Sequence, residues 1–218
     1  MESRDRFVMN SVYLDESLRG DLYTDSWRKE IAALEARHAH LEHFAEVESA
    51  DFLNQMLYVD AKTFMVSLNL NYNDKMSMAN SMEVRVPFLD RELTEWVAWN
   101  VSPQLKLNGS QLKHAFREAM RPLLPAEVLR QGKAGFGAPV DHWLANDLRP
   151  MVDELLEEGA IRRRGIFDPI AVRRLVQEQR SGRQDWSLQV WQLLTLELWL
   201  RTFIDNAPVA APSLGLAG

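Results

Sequence analysis

Three places in this chain set charge where an otherwise apolar, helix-periodic sequence gives no reason for it. Asp60, with Lys62 beside it, lies inside the run LYVDAKTF. A carboxylate on a buried helix needs a cationic or hydrogen-bonding partner, or its pKa must shift. An ion pair at the helix edge is the plainer explanation. In DKMSMANSMEVRVPFLD, Asp74, Lys75, Glu83, Arg85 and Asp90 alternate with apolar residues around a proline. Composition alone reads Glu83 and Arg85 as a polar network fixing an irregular segment, whose exposed backbone also needs partners. The third place combines Lys113 with Lys133-Ala134-Gly135-Phe136-Gly137. A lysine among glycines can bring an ammonium and backbone N–H groups around an anion, and glycine removes the Cβ that would obstruct close approach. As a pattern this is weak, and neither GxGxxG nor GxxxxGK[ST] occurs.

Other clusters carry less. His38, His40 and His43 lie close together, but two of the three share a solvated helix face and no second ligand cluster supports a metal. Arg162-Arg163-Arg164 reads as a solvated turn without the aromatic interleaving of a nucleic-acid surface. The seven tryptophans fall at helical spacing in apolar segments and read as core. No elbow sequence supports Ser-His-Asp catalysis.

These candidates sit in a chain of 218 residues, 46% hydrophobic and 26% charged, which suits a globular protein with one substantial core. No apolar run reaches membrane-spanning length, and the charged opening MESRDR precedes no signal-like core, so a cytoplasmic protein with no membrane partner is expected. A net charge of -6 argues against a nucleic-acid partner. With no cysteine, disulfides, thiolate metal sites and cysteine nucleophiles are excluded from this chain.

The elements that must position the candidates are helices. Ser26 is an N-cap candidate for WRKEIAALEARHAHLEHF. A second helix spans residues 48–70, with Phe52, Met56, Val59 and Thr63 in one stripe. NYNDKMSMANSM is expected to hold a short helix between two turns. Pro87 makes VRVPFLD extended, residues 83–86 are a strand candidate, and Asp90 caps RELTEWVAWN. QLKHAFREAM follows a loop at Asn108-Gly109-Ser110, and GKAGFGAP is a loop. Helices are expected at 140–146, at 148–157 and at 169–179, the last capped by Asp168 with Pro169 in its first turn. DWSLQVWQLLTLELWLRTFI, apolar nearly all round, is expected to be the central core helix. The reading is a mostly α protein over residues 1–205, followed by a flexible tail at 206–218.

The order of motifs then becomes specific. NDKMSMANSMEVRVPFLD resembles the signature of glutamine-hydrolysing asparagine synthetases, flanked in the right order by LYVDAKTF, GSQLKHAFREAM, LLPAEVLRQGKAGFGAPV and HWL. The likeness is strong over residues 57–144, while the flanks match in helical character. It implies the helical, bundle-like C-terminal portion of a synthetase domain of the PP-loop ATPase type, lacking the parallel sheet.

The resemblance also implies chemistry. The family uses MgATP to adenylate the side-chain carboxylate of aspartate, releasing pyrophosphate. Ammonia derived from glutamine then attacks the acyl-adenylate to give asparagine and AMP. Lys133 matches the lysine that faces the developing phosphoryl charge, and Lys113 a second lysine near the pyrophosphate. Such cations stabilise negative charge in the transition state. Asp60 matches an acidic position lining the same pocket, able to orient one of those lysines or a substrate ammonium. Glu83 and Arg85 match the signature as an organising pair. Gly132 departs from the relatives that run arginine–glutamine–lysine directly.

The family's SGGxDS and SGxGxDE segments, which hold ATP and a metal-binding acid, are absent from this sequence, as is the N-terminal cysteine of the glutaminase domain. They belong to parts expected to precede residue 1. Alone, the chain is therefore expected to bind neither ATP nor Mg2+ tightly and to have no synthetase activity. Two alternatives stay open: a fragment of a β-lactam synthetase-like or other specialised amidotransferase, and a non-catalytic helical interaction module. Self-association into a homo-oligomer also stays open.

Overall fold

The computed structural model describes residues 3–205 except 11, 13, 15, 36, 133, 134 and 136, so the expected tail at 206–218 lies outside the described residues. The fold is mostly helical. The one ladder among the described residues pairs Leu107–Asn108 with Gln111–Leu112, antiparallel. No helix among them is long and apolar enough to cross a membrane. The chain divides into two compact units: residues 1–8 with 36–135, and residues 9–35 with 136–218.

The first unit closes around a small cluster. Val8, Phe44 and Val59 are fully buried, with Phe7, Phe52 and Met56 packed on them. Phe7 meets the Phe44 ring edge-on at 5.7 Å, and Phe52 stacks on it at 6.4 Å. Helix His38–Glu46 thereby packs on helix Phe52–Asp60. Gln55 is buried at their junction. Its amide donates to the carbonyls of Glu48 (3.0 Å) and Ala50 (2.7 Å), and its Oε1 accepts from Arg4 at 3.2 Å. That satisfies the polar group within the turn.

The second unit has the larger core, built from Leu22, Leu144, Val152, Leu155, Val172 and Leu193 among others. Gly165 ends helix Glu158–Arg164 in the left-handed conformation (φ +69°), where glycine carries no Cβ penalty. Beyond it, Thr24 N–H donates to Ile166 O (3.0 Å) and Asp168 N–H to Leu22 O (2.8 Å), and Tyr23 stacks on Phe167. Asp168 accepts from the N–H groups of Ile170 and Ala171 and caps helix Pro169–Arg180 as expected.

Several expectations are corrected. The helix expected over residues 27–44 is two: Thr24, not Ser26, caps Asp25–Glu30, and His38–Glu46 starts anew. Between them the chain passes from one compact unit to the other, which overrides good local helix formers. The polar segment at 71–82 does not begin with a turn. Phe52–Asp60 continues as a π-helix, Ala61–Leu70, and then as Asn71–Ala79. The Thr63 hydroxyl donates to Val59 O at 2.7 Å, a back-bond that loosens the ladder where the winding changes. The amides of Asn73 and Asn80 donate to Asn69 O and Met76 O, so polar residues are satisfied on the helix instead of breaking it.

Residues 83–86 are irregular, and Pro87–Leu89 is a 3-10 turn. Helix His114–Met120 starts later than expected, because Gly109 (φ +58°) turns a hairpin first. None of the seven tryptophans is buried, and Trp99 is 88% exposed. Helix Ser187–Trp199 buries Val190, Leu193 and Leu194 but exposes Leu188, Trp191 and Trp199, so it is core on one side only. Arg164 does not sit on a solvated turn. It lies on a helix and pairs with buried Glu197.

Candidate functional site

Asp60 ends the α-helical part of its helix, where the π-helical winding begins. It makes no hydrogen bond or ion pair with described residues, so the helix-edge pair with Lys62 is not formed; the Lys62 ammonium instead lies 5.4 Å from the Tyr58 ring centre. Asp60 is exposed by surface area, yet enough protein surrounds the carboxyl that desolvation raises its pKa from the ordinary 3.8, with the charge of His40 opposing. His40 is half-buried and its Nδ1, out of water, has no partner. Tyr58 donates to Glu46 across the two helices, and His43 bonds the same carboxylate from within helix His38–Glu46.

Glu83 and Arg85 pair with each other on the irregular stretch before Pro87, and both are exposed. Asp90 is an N-cap, its Oδ1 accepting from Leu93 N–H at 2.9 Å. Lys113 takes the left-handed backbone (φ 57°, ψ 39°) directly before helix His114–Met120. That conformation is uncommon for a residue with a Cβ and marks local strain. The Lys113 side chain has no hydrogen-bond or ion-pair partner among the described residues. Lys133 lies outside the described residues. Among the described residues, no hydrogen bond or ion pair links Asp60, Lys113 and the Glu83–Arg85 pair to one another, although all belong to one compact unit.

Helix His114–Met120 makes two contacts that sequence reading missed. Phe116 meets Phe88 of the PFLD turn edge-on, ring centres 5.3 Å apart. Arg117, half-buried, donates from Nη1 to Leu129 O at 2.5 Å and from Nη2 to Gln131 O at 3.4 Å. The readable signal was Lys113 and Arg117 four residues apart, a like-charge spacing that is unfavourable unless one of them has a partner elsewhere.

The setting of these residues is unusual. No described residue from 60 to 143 is buried. Among the described residues, twenty of the twenty-seven exposed large apolar side chains fall within residues 57–128, including Met76, Met82, Phe88, Trp96, Trp99 and Leu123. Exposed apolar area on that scale marks an interaction surface.

A sequence model of the asparagine synthase family matches residues 2–201. The chain belongs to the asparagine synthase family. The match reaches well beyond the 57–144 core of the motif likeness. The chain is 31% identical over 196 residues to asparagine synthetase [glutamine-hydrolyzing] 1 of Bacillus subtilis, covering 90% of this chain and 30% of that protein. It is 35% identical over 171 residues to a putative asparagine synthetase of Mycobacterium tuberculosis H37Rv, covering 76% of this chain and 25% of that protein. It is also 35% identical over 118 residues to the amidase chry2 of Gibberella zeae, covering 51% of this chain and 17% of that protein. The chain thus spans at most about a third of these family relatives' lengths. No solved structure matches. Among the described residues, no group of three or more His, Cys, Asp or Glu could hold a metal ion.

Proposed function

We propose that this chain forms the helical part of an ATP-dependent amidotransferase that adenylates the side-chain carboxylate of aspartate and converts it with glutamine-derived ammonia to asparagine. Lys113 and Lys133 supply positive charge to the phosphoryl oxygens and the departing pyrophosphate, the kind of fixed charge that lowers such a barrier. Asp60 orients an ammonium, either of one of those lysines or of the substrate. Glu83 and Arg85 organise the signature segment, and Asp90 caps the helix after it.

The observation that carries this reading is the uncovered apolar surface across the signature motifs. A free-standing interaction module of this size would bury most of those side chains in itself. An enzyme part that docks on an ATP-binding half would leave them open until it docks.

The test joins this chain to the portion of the Bacillus subtilis relative that precedes the matched segment. Aspartate-dependent ATP–pyrophosphate exchange is expected from the joined protein and not from the chain alone. Exchange or tight MgATP binding by the chain alone overturns the dependence. A folded joined protein with no exchange on any acid overturns the assignment. The likeness to two fungal proteins named amidases, over 51% and 61% of this chain, favours one second reading. There the same adenylation acts on a different acid, and exchange with another carboxylate but not aspartate would establish it.

A further inference from the structure

We propose that Arg117 is a positioning residue, anchoring the segment that enters the Lys133 loop to the short helix that Lys113 precedes. The inference rests on the functional reading above for what the loop does, and on geometry for how it is held.

Helix Ala126–Arg130 is only five residues long, with Pro125 just before it. A helix that short does not persist on its own hydrogen bonds, and its last carbonyls have no partners within it. Within its last turn, Gln131 N–H reaches Glu127 O (3.2 Å) and Val128 O (3.3 Å), and the backbone then leaves in an extended conformation. The carbonyls of Leu129 and Gln131 are thus open to donors outside the helix. Arg117 supplies both from one planar guanidinium, at 2.5 Å and 3.4 Å. A fork of N–H groups is suited to this, because it fixes direction as well as distance.

The same helix carries two more constraints. Phe116 rests edge-on against Phe88 of the signature turn. His114 Nδ1 and Gln111 Oε1 lie 2.9 Å apart and tie the helix start to the hairpin before it. Seven residues, His114–Met120, thus touch the hairpin, the PFLD turn and the approach to the glycine-rich loop, with Lys113 at their head. The consequence is mechanical. The backbone up to Gln131 has a register that Arg117 sets relative to Lys113, and Lys133, the proposed charge-bearing group, follows it in sequence. A displacement of about 1 Å in such a group can cost about a hundredfold in rate.

The variants are Arg117→Met, which keeps the stem and removes the fork, and Arg117→Lys, which keeps the charge. Hydrogen exchange on the chain itself reads the anchor. Faster exchange at residues 128–132 is expected in both variants, larger for Arg117→Met, with residues 187–199 unchanged. In the joined protein, kcat for ATP–pyrophosphate exchange is expected to fall about a hundredfold in Arg117→Met, with KM for aspartate unchanged and Arg117→Lys intermediate. Unchanged protection at 128–132 in either variant overturns the anchor, as does lost protection with full activity. Should Arg117→Met unfold, Arg117→Lys decides by the same two readings. Lys133→Ala in the same joined protein separates the two ideas. If it keeps activity while the Arg117 variants lose protection, the reading of Lys133 fails and the anchor stands.

Discussion

Two regions of this chain spend the same kinds of residue in opposite ways. In the second compact unit, a carboxylate is drawn inward beside the larger apolar core. Glu197, 4% exposed, accepts from Arg164 (2.8 and 3.1 Å) and Arg201 (2.8 Å), and Arg164 also binds Asp205. Burial alone would raise the Glu197 pKa, but those hydrogen bonds outweigh it and hold the carboxyl below its ordinary 4.5. Between residues 60 and 132, by contrast, many apolar side chains are exposed, and Asp60 has no hydrogen-bond or ion-pair partner among the described residues. The second unit pairs its buried carboxylate internally, whereas the other region leaves Asp60 without such a partner among the described residues. The candidate residues lie in that other region.

The largest effect is expected where the partners are internal. Glu197→Ala should destabilise the second unit by about 3 kcal/mol, since it leaves two guanidinium groups facing a gap. The lower end of the usual range applies because Arg164 and Arg201 keep 20% and 26% of their side-chain surface in water. Denaturant unfolding followed by circular dichroism measures this. A change under about 0.5 kcal/mol would place the network among ordinary surface pairs.

Trp99→Ser should do the reverse. In the chain alone, stability is expected to shift by no more than about 0.5 kcal/mol, as for a surface residue. In the joined protein the same change should cost about 1.5–3 kcal/mol, the value of burying a large apolar side chain. Equal effects in both contexts would erase the distinction between the regions.

Lys113→Asn tests the strained lysine. Asparagine tolerates the left-handed backbone better, so thermal unfolding should show a gain of up to about 1 kcal/mol, while exchange activity of the joined protein falls. A variant that gains stability and keeps activity would leave the strain without a functional counterpart.

The two carboxyls should also differ in the sign of their pH dependence. Glu197 has a lowered folded pKa, so its stabilisation is present above 4.5 and is lost as pH falls through the folded value. Asp60 has a raised one. The folded state then binds the proton more tightly, and stability falls as pH rises from 3.8 through the folded value. Asp60→Asn should therefore raise the melting temperature at neutral pH, with the gain vanishing below pH 3.8. Melting curves against pH check both signs.

Much of the scaffold was legible in sequence because it is local. Asp90 and Asp168 cap the helices that their positions before Arg91 and Pro169 foretell, and the stripe of Phe52, Met56 and Val59 lands in the first core. Asn108-Gly109 carried a hairpin signal that the helical pattern of the following residues obscured. What was illegible depends on partners. Apolar periodicity places Trp96 and Trp99 on a helix face but cannot tell whether that face is covered within the same chain. The bonds of Arg117 go to backbone carbonyls, which leave no mark in the letters. Arg164 read as solvated because its acceptors, Glu197 and Asp205, stand far along the sequence.

The central claim is that residues 57–128 present a face that only the rest of the enzyme covers. Hydrogen exchange by mass spectrometry, on the chain alone and on the joined protein, tests it most directly. Slowing of exchange concentrated between residues 57 and 132, with helix Ser187–Trp199 protected equally in both, is the predicted result. Identical protection across residues 57–132 in the two proteins would contradict it.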